Sequence, residues 1–289
     1  MFEEKISLSI KGKEVRFVEG TDIRVLAHSL LSFQKIVEKV YLYSECKVKM
    51  TDSDYKNLSI QIQNPHSGSW ASDIFVEIKS IVLPLSSFVL QNSGDIMKTV
   101  LNVYHFLVYK IKAKDQDKTV RIQVSENSEE VNLINGDNNI VIINSPPNIP
   151  ELAEELAPLM QKITKNIDGQ AITEVEFGNE KGSIKFDSVD AKNFKTHTYT
   201  SDQIVSVSGI IREAKADNYS GVIKITASKD EQIIVGEEYH FLSQYNFSEE
   251  KFKSIYLNEI ELSVKKRIVI GPENNFDGFV NSLIIADLS

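Results

Sequence analysis

The stretch IVSVSGIIREAKADNYSGVIKITA, residues 204–227, opens the part of the chain that decides its fold. In Val205–Ile211 apolar residues alternate with serines, and in Val222–Ala227 they alternate with other polar residues. Alternation with a period of two predicts strands with one buried face and one wet face. The polar residues between Asp217 and Gly221 are typical of a turn. The stretch therefore predicts two strands joined by a turn.

The residues that follow continue this pattern. Gln232–Leu242 predicts a third strand, with Gly236 marking a bulge or corner inside it. Ser248–Tyr256 predicts a short helix, because a serine cap and two carboxylates begin it. The two remaining strands are predicted at Ile260–Val264 and Val280–Ala286.

Three strands, a helix and two strands predict a small five-stranded β-barrel over residues 203–289. This element order resembles that of the OB-fold, a Greek-key barrel with a helix between its third and fourth strands. The resemblance rests on element order and covers about the last third of the chain. An SH3-like barrel is the structural alternative, and neither fold by itself settles function.

The first 190 residues predict a separate α+β domain. Residues with helical spacing lie in Leu26–Val40, Ile96–Ile111 and Leu152–Ile167. Short strands are predicted between these helices, at Ile6–Ile10 with a return strand through Val15 and Phe17, Leu58–Ile62, Asp73–Ile78, Val120–Val124, Val131–Ile134, Ile140–Ile143, Ile172–Phe177 and Ser183–Phe186. Because most of these strands form hairpins, we expect an antiparallel sheet with helices on one face.

Two further expectations concern continuity of the chain. Pro158 lies inside the third helical pattern, where proline removes a hydrogen bond and clashes with the preceding turn, so we expect a kink or a break there. Residues 191–202 are polar and without a clear period, and we interpret them as the linker between the two domains.

Composition places the chain among ordinary globular proteins. Of its residues, 42% are hydrophobic and 25% are charged. Its length of 289 residues favours two domains. Cys46 is the only cysteine, which excludes an internal disulfide and a cysteine-based zinc site. We expect no signal peptide, and the most apolar run, Ile81–Leu90, is too short to span a bilayer. We therefore expect a cytoplasmic protein without a membrane partner.

The formal net charge of −9 is unevenly distributed. Residues 201–289 contain nine basic and fourteen acidic side chains, a balance of −5. Nucleic-acid binding draws much of its affinity from neutralising phosphates with lysine and arginine. The acidic barrel therefore disfavours a nucleic-acid partner.

No motif of catalysis, cofactor binding or metal binding is found in the sequence. It contains no G-x-G arrangement and no P-loop, and its histidines are scattered. Gly68-Ser69 ahead of Asp73 resembles the Gly-Ser turn of nucleotidyltransferases, but the gap is too short and Phe75 occupies the second carboxylate position. Glu259 and Glu261 share a strand face, as is typical of a solvated surface. We predict no catalytic residue, no metal ligand and no cofactor.

Six residues are candidates for a binding surface. The only compact basic run of the barrel enters a loop that OB-folds use for oligonucleotides, and nearby tyrosines can stack on bases. A lone tryptophan beside a Gly/Ser turn is a candidate for a binding loop. The candidates are Trp70, Tyr219, Tyr239, Lys265, Lys266 and Arg267.

The whole architecture is similar to an uncharacterised family of bacterial and mobile-element proteins. The features that carry this resemblance are the opening Ile6–Val18 hairpin with its helix, the Gly68-Ser69-Trp70 turn and the barrel pattern. The resemblance implies an accessory role in antiphage defence or in a mobile element.

Three hypotheses for function follow. The leading one is a non-catalytic binding or assembly protein that contacts a protein partner through the barrel and Ile81–Leu90. The first alternative is binding of single-stranded nucleic acid or a nucleotide by the barrel. The second alternative is an enzyme whose active site is assembled from residues that are distant in sequence.

Overall fold

The computed structural model describes residues 2–12, 23–66, 70–78, 96–115, 120–124, 130–135, 139–144, 149–169, 171–215, 217–244, 249–274 and 276–288. The chain divides into two compact units, Met1–Lys195 and Thr196–Ser289. The predicted class is confirmed: the first unit is α+β with an antiparallel sheet, and the second is a small β-barrel. Along the described part of the chain, no helix is both long enough and apolar enough to cross a bilayer.

The first unit alternates strands and helices. Its described strands are β1 (Phe2–Lys11), β2 (Leu58–His66), β3 (Trp70–Ile78), β4 (Val120–Val124), β5 (Glu130–Asn135), β6 (Asn139–Asn144), β7 (Glu174–Asn179) and β8 (Gly182–Phe186). Its described helices are α1 (Ile23–Ser44), α2 (Asp52–Asn57), α3 (Ile96–Asp115), α4 (Ile149–Thr164) and α5 (Ser188–Asn193). The predicted return strand through Val15 and Phe17, the turn at 67–69 and the Ile81–Leu90 run lie outside the described residues.

The main sheet has the order β2-β3-β1-β7-β8, and every pair in it is antiparallel. Strand β1 is central, with Ile6 opposite Ile74 on β3 and Leu8 opposite Phe177 on β7. Ile6 and Leu8 are fully buried, whereas Ser7 between them is exposed. The period-two pattern of β1 therefore separates a covered face from an open one. Strands β4, β5 and β6 form a separate antiparallel sheet.

The long helices cover one face of the main sheet. The ring of Phe33 on α1 stacks on Phe177 of β7, with centroids 4.3 Å apart. Tyr104 on α3 meets Phe186 of β8 edge to face at 5.5 Å. Helix α4 packs against both α1 and α3. These contacts place helices on one face, as the sequence predicted.

Two expectations about continuity are corrected. Helix α4 runs from Ile149 to Thr164 with Pro158 inside it, so of the expected kink or break, the break is absent. Leu156 and Met160, on either side of the proline, are fully buried, and tertiary burial of an apolar face is what stabilises most helices in proteins.

The predicted linker, 191–202, instead contains the end of α5 and the start of a barrel strand. Asp187 caps α5, since its Oδ1 accepts hydrogen bonds from the backbone N–H groups of Val189 at 2.7 Å and Asp190 at 3.2 Å. Phe194, which follows the helix, is fully buried. The helix cap at Asp187 and the burial of Phe194 therefore order this polar segment.

The second unit is the barrel. Its elements are β9 (His197–Lys215), β10 (Ser220–Ser228), β11 (Glu238–Ser243), α6 (Glu249–Ser254), β12 (Glu259–Ile270), a 3-10 turn (Pro272–Asn274) and β13 (Phe279–Leu288). The strands close in the order β10-β11-β13-β12-β9, and β9 pairs with β10 to complete the ring. Only β11 and β13 pair in parallel among these strands. With α6 between the third and fourth strands, the arrangement is OB-like.

The third barrel strand is shorter than predicted. It begins at Glu238, and Gly236 lies in the turn before it with φ of 94°. Glycine adopts this left-handed conformation without the strain that a side chain adds. Gly236 therefore serves a turn and not a bulge within a strand.

Candidate functional site

The basic run that was a candidate for oligonucleotide binding is divided by the pleat of β12. Lys265 and Arg267 lie on the outer side, whereas Lys266 is only 4% exposed. Its Nζ lies 2.6 Å from Asp230 Oδ2 and 2.8 Å from Gln232 Oε1, both in the β10–β11 connection. The charge of Lys266 is therefore neutralised inside the barrel and does not contribute to an outer basic patch.

The predicted aromatic platforms are also dispersed. Tyr239 is only 7% exposed, and its hydroxyl accepts a hydrogen bond of 2.9 Å from the backbone N–H of Ile234. A buried ring of this kind offers no surface for stacking. Tyr219 is partly exposed in the β9–β10 turn, with φ of 48°. Trp70 begins β3 opposite Ile10, and its side chain lies outside the described part of the structure.

The outer surface of the barrel presents two ordered carboxylates. Glu259 and Glu261 are exposed on β12, two residues apart and therefore on one face. The Thr226 hydroxyl donates a 2.7 Å hydrogen bond to Glu259, and the Ser206 hydroxyl donates a 2.8 Å hydrogen bond to Glu261. Hydroxyls from two other strands thus hold these carboxylates in position.

The sequence did not reveal a pocket of about 370 Å³ between α1 and the C-terminal end of α4. Its described lining is basic and polar, with one apolar residue and no acidic one. The lining residues are His28, Leu31, Ser32, Lys35, Lys162, Lys165 and Asn166. We call these seven residues the helix-layer pocket.

Within the part of the chain that the structure describes, the lysines of the helix-layer pocket have no acidic partner. Among the described residues, none of Lys35, Lys162 and Lys165 forms an ion pair. One helical turn further along α1, Lys39 pairs with Glu155 of α4 at 2.8 Å. These two helices therefore form an ion pair outside the pocket, whereas at the pocket the described residues supply no partner for the lysines.

A second pocket, of about 550 Å³, is lined by residues of β1, β3, β7 and the β7–β8 turn and has a different character. Lys5 and Asp73 in its lining form an ion pair of 2.8 Å. Glu4 accepts hydrogen bonds from the backbone N–H of Ile96 at 2.9 Å and from the Asn179 amide at 2.6 Å. Because these polar groups bind each other and the first turn of α3, the pocket is explained by the packing of the fold.

A buried polar network follows α1. The Asp54 carboxylate accepts hydrogen bonds from Lys47 Nζ at 2.5 Å, Thr51 Oγ1 at 2.6 Å and Tyr41 Oη at 3.1 Å. The hydrogen bonds from Lys47 and Thr51 hold the pKa of Asp54 well below its usual range. Burial, together with the hydrogen bond to Asp54, raises the pKa of Tyr41 to about 12. This network fixes the turn between α1 and α2.

A metal site is not formed by the described residues, since no three His, Cys, Asp or Glu side chains come together among them. The chain matches no protein-family model, no curated protein and no solved structure.

Proposed function

We propose that the protein is a non-catalytic binding protein that contacts a protein partner through the outer surface of its barrel. The observation that carries this proposal is the pair of ordered carboxylates, Glu259 and Glu261, each held by a hydroxyl from a neighbouring element. A preordered carboxylate loses less side-chain entropy when a cation binds to it. The partner surface that fits is one with lysine or arginine side chains.

The charge of the barrel also supports a partner with a basic surface. Residues 201–289 contain nine basic and fourteen acidic side chains, and Lys266 is neutralised internally by Asp230. Complementary charge across an interface speeds encounter and disfavours wrong partners. An acidic barrel therefore favours a basic protein surface over a phosphate backbone.

Single-stranded nucleic acid or nucleotide binding by the barrel receives less support. That alternative depended on a continuous basic run and on exposed tyrosines. Lys266 and Tyr239 are buried, so Lys265 and Arg267 are the basic residues of the run that face outward.

We extend the proposal to an accessory role in a bacterial defence or mobile-element system, which rests on the resemblance in architecture alone. We also propose a cytoplasmic location. The single cysteine, Cys46, is free and exposed, and free thiols persist in reducing compartments.

The proposal is tested by affinity capture with the wild-type chain and with the double variant Glu259→Lys/Glu261→Lys. The matched control, Asp217→Lys/Glu250→Lys, makes the same charge change at exposed positions elsewhere on the barrel. We expect wild type and control to recover the same protein partner and the test variant to lose it.

Equal recovery by all three forms contradicts the proposed surface. Fluorescence anisotropy with short oligonucleotides at low salt tests the alternative. A salt-dependent signal there, combined with no recovered protein, would replace the proposal with nucleic-acid binding.

A further inference from the structure

We propose that the helix-layer pocket binds a small molecule that carries a phosphate monoester. This site lies in the first unit and is independent of the barrel surface. It rests on three lysines without an ion-pair partner among the described residues, which lie with a histidine around one concave surface, in a chain whose overall charge is −9.

The basic side chains come from two different helices. His28 and Lys35 lie seven residues apart on α1, two helical turns that return the chain to the same side. Lys162 lies in the last turn of α4, and Lys165 follows that helix directly. Like charges brought together in this way repel each other until an anion enters between them.

A structural explanation accounts for only part of this arrangement. Lysines at the C-terminal end of α4 complement the negative end of its dipole. That explains Lys162 and Lys165 but not Lys35, which lies in the middle of α1. The neighbouring Lys39–Glu155 pair of 2.8 Å shows that an acidic partner from α4 fits this helix seam. The pocket end of the seam has no such partner among the described residues.

The rest of the lining favours a phosphate ester over a bare ion. Ser32 and Asn166 contribute neutral hydrogen-bonding groups, and the Leu31 side chain is 56% exposed. A phosphate monoester supplies up to two negative charges and three acceptor oxygens to the lysines. Its organic part then covers Leu31. A volume of about 370 Å³ also falls in the range of small-molecule sites, roughly 300 to 1,000 Å³.

The experiment is titration of the full-length chain with inorganic phosphate and with AMP, monitored by calorimetry and by NMR amide shifts at constant ionic strength. Adenosine and sulfate are the ligand controls. We expect AMP to bind more tightly than phosphate, adenosine not to bind, and shifts to centre on α1 and the end of α4. Lys35→Gln/Lys162→Gln/Lys165→Gln is expected to weaken AMP binding at least about tenfold, a loss of about 1.4 kcal/mol.

Lys39→Gln is the matched control, because it removes a charge from the same helix outside the pocket lining. We expect it to change the dissociation constant less than about twofold, since exposed ion pairs contribute little. Lys35→Gln alone is a second test variant that leaves the end of α4 unchanged. Its weakening of AMP binding is expected to exceed that of the control.

Three outcomes overturn the proposal. The first is that neither phosphate nor AMP binds at millimolar concentration. The second is that Lys39→Gln weakens AMP binding as much as the triple variant does. The third is that a phosphodiester oligonucleotide or an acidic peptide binds more tightly than AMP. Co-sedimentation with vesicles that contain phosphatidylinositol 4-phosphate distinguishes the source of the monoester. Vesicle binding that the triple variant loses indicates a lipid headgroup, whereas AMP binding without vesicle binding indicates a free metabolite.

Discussion

Lys266 and Asp230 form an ion pair inside the barrel, with Nζ and Oδ2 2.6 Å apart and only 4% of the lysine exposed. The pair joins β12 to the β10–β11 connection, and Gln232 accepts a second hydrogen bond from the same Nζ at 2.8 Å. A buried charge that loses its oppositely charged partner strongly destabilises the folded state.

Replacing one partner of this ion pair is expected to destabilise the barrel strongly. Asp230→Ala leaves Lys266 buried without its carboxylate, and the expected loss is about 3 kcal/mol, since breaking a buried pair costs roughly 3 to 5 kcal/mol. The measurement is urea unfolding, with hydrogen exchange of β10 and β12 amides to isolate the barrel. Lys265→Met, on the outer side of the same strand, is the control and is expected to cost less than about 0.5 kcal/mol. Similar losses of unfolding free energy in the two variants would show that the Lys266–Asp230 ion pair does not stabilise the barrel.

The Asp54 network predicts a pH-dependent stability. Asp54→Asn removes the charge that Lys47 Nζ and Thr51 Oγ1 bind, and we expect a loss of about 2 kcal/mol at neutral pH, since a hydrogen bond to a charged group contributes roughly 1.5 to 3 kcal/mol. The measurement is the urea midpoint of the first unit for wild type and variant.

The sign of the pH dependence follows from the direction of the shift. The folded-state pKa of Asp54 lies below its ordinary value of 3.8, so the folded state favours the carboxylate. The stabilisation is complete above about pH 5 and is lost as the pH falls below about 4 toward the lowered pKa. The difference in unfolding free energy between wild type and Asp54→Asn is therefore expected to decrease only below about pH 4. A gap that is constant down to about pH 2 would show that the charge is not what stabilises the turn.

Ser29 predicts a substitution that stabilises the protein. Its side chain is 1% exposed, and its Oγ has no hydrogen-bond partner among the described residues. Leaving a buried hydroxyl unpaired costs roughly 1 to 3 kcal/mol. Ser29→Ala is therefore expected to raise the free energy of unfolding by about 1 kcal/mol in urea titration. Thr164→Ala, which removes a buried hydroxyl that donates to the Gln161 carbonyl at 3.0 Å, is the control and is expected to lower it.

Gly221 marks a close approach between β9 and β10. A Cβ atom at this position would lie 1.9 Å from the Glu213 carbonyl oxygen and 2.9 Å from the Phe241 ring. Backbone at that distance must move, so Gly221→Ala is expected to cost about 3 kcal/mol, the upper end of overpacking effects. Thermal unfolding of the variant, beside the neighbouring Ser220→Ala as control, measures this cost. A Gly221→Ala protein as stable as Ser220→Ala would mean that the two strands separate there freely.

Local patterns predicted most of the elements. The alternation in Val205–Ile211 and Val222–Ala227 placed the first two barrel strands, because each residue's exposure there follows from the pleat alone. Alternation on β12 also predicts the burial of Lys266, because it lies two residues from both Val264 and Ile268 and therefore on their buried side. Because of this alternation, Lys266 is buried and residues 265–267 do not form one basic patch.

Other features depended on contacts between distant residues. Phe194, which is fully buried and stacks with the ring of Tyr104 on α3, orders a segment whose polar composition predicted a linker. The packing around Leu156 and Met160 carries α4 through Pro158, although local propensity predicted a break. In both places tertiary burial outweighed a weak local preference.

The sequence by itself determined the α+β class, the order of the barrel elements and the acidic balance of the C-terminal third, because periodicity and charge are properties of neighbouring residues. Only the tertiary structure decided which charges stand free. Lys266 is neutralised by Asp230, 36 residues earlier. Lys35 faces Lys162 and Lys165 only because α1 packs on α4. The energy of a charge depends on what lies within a few ångströms of it, and that distance is set by packing and not by position along the chain.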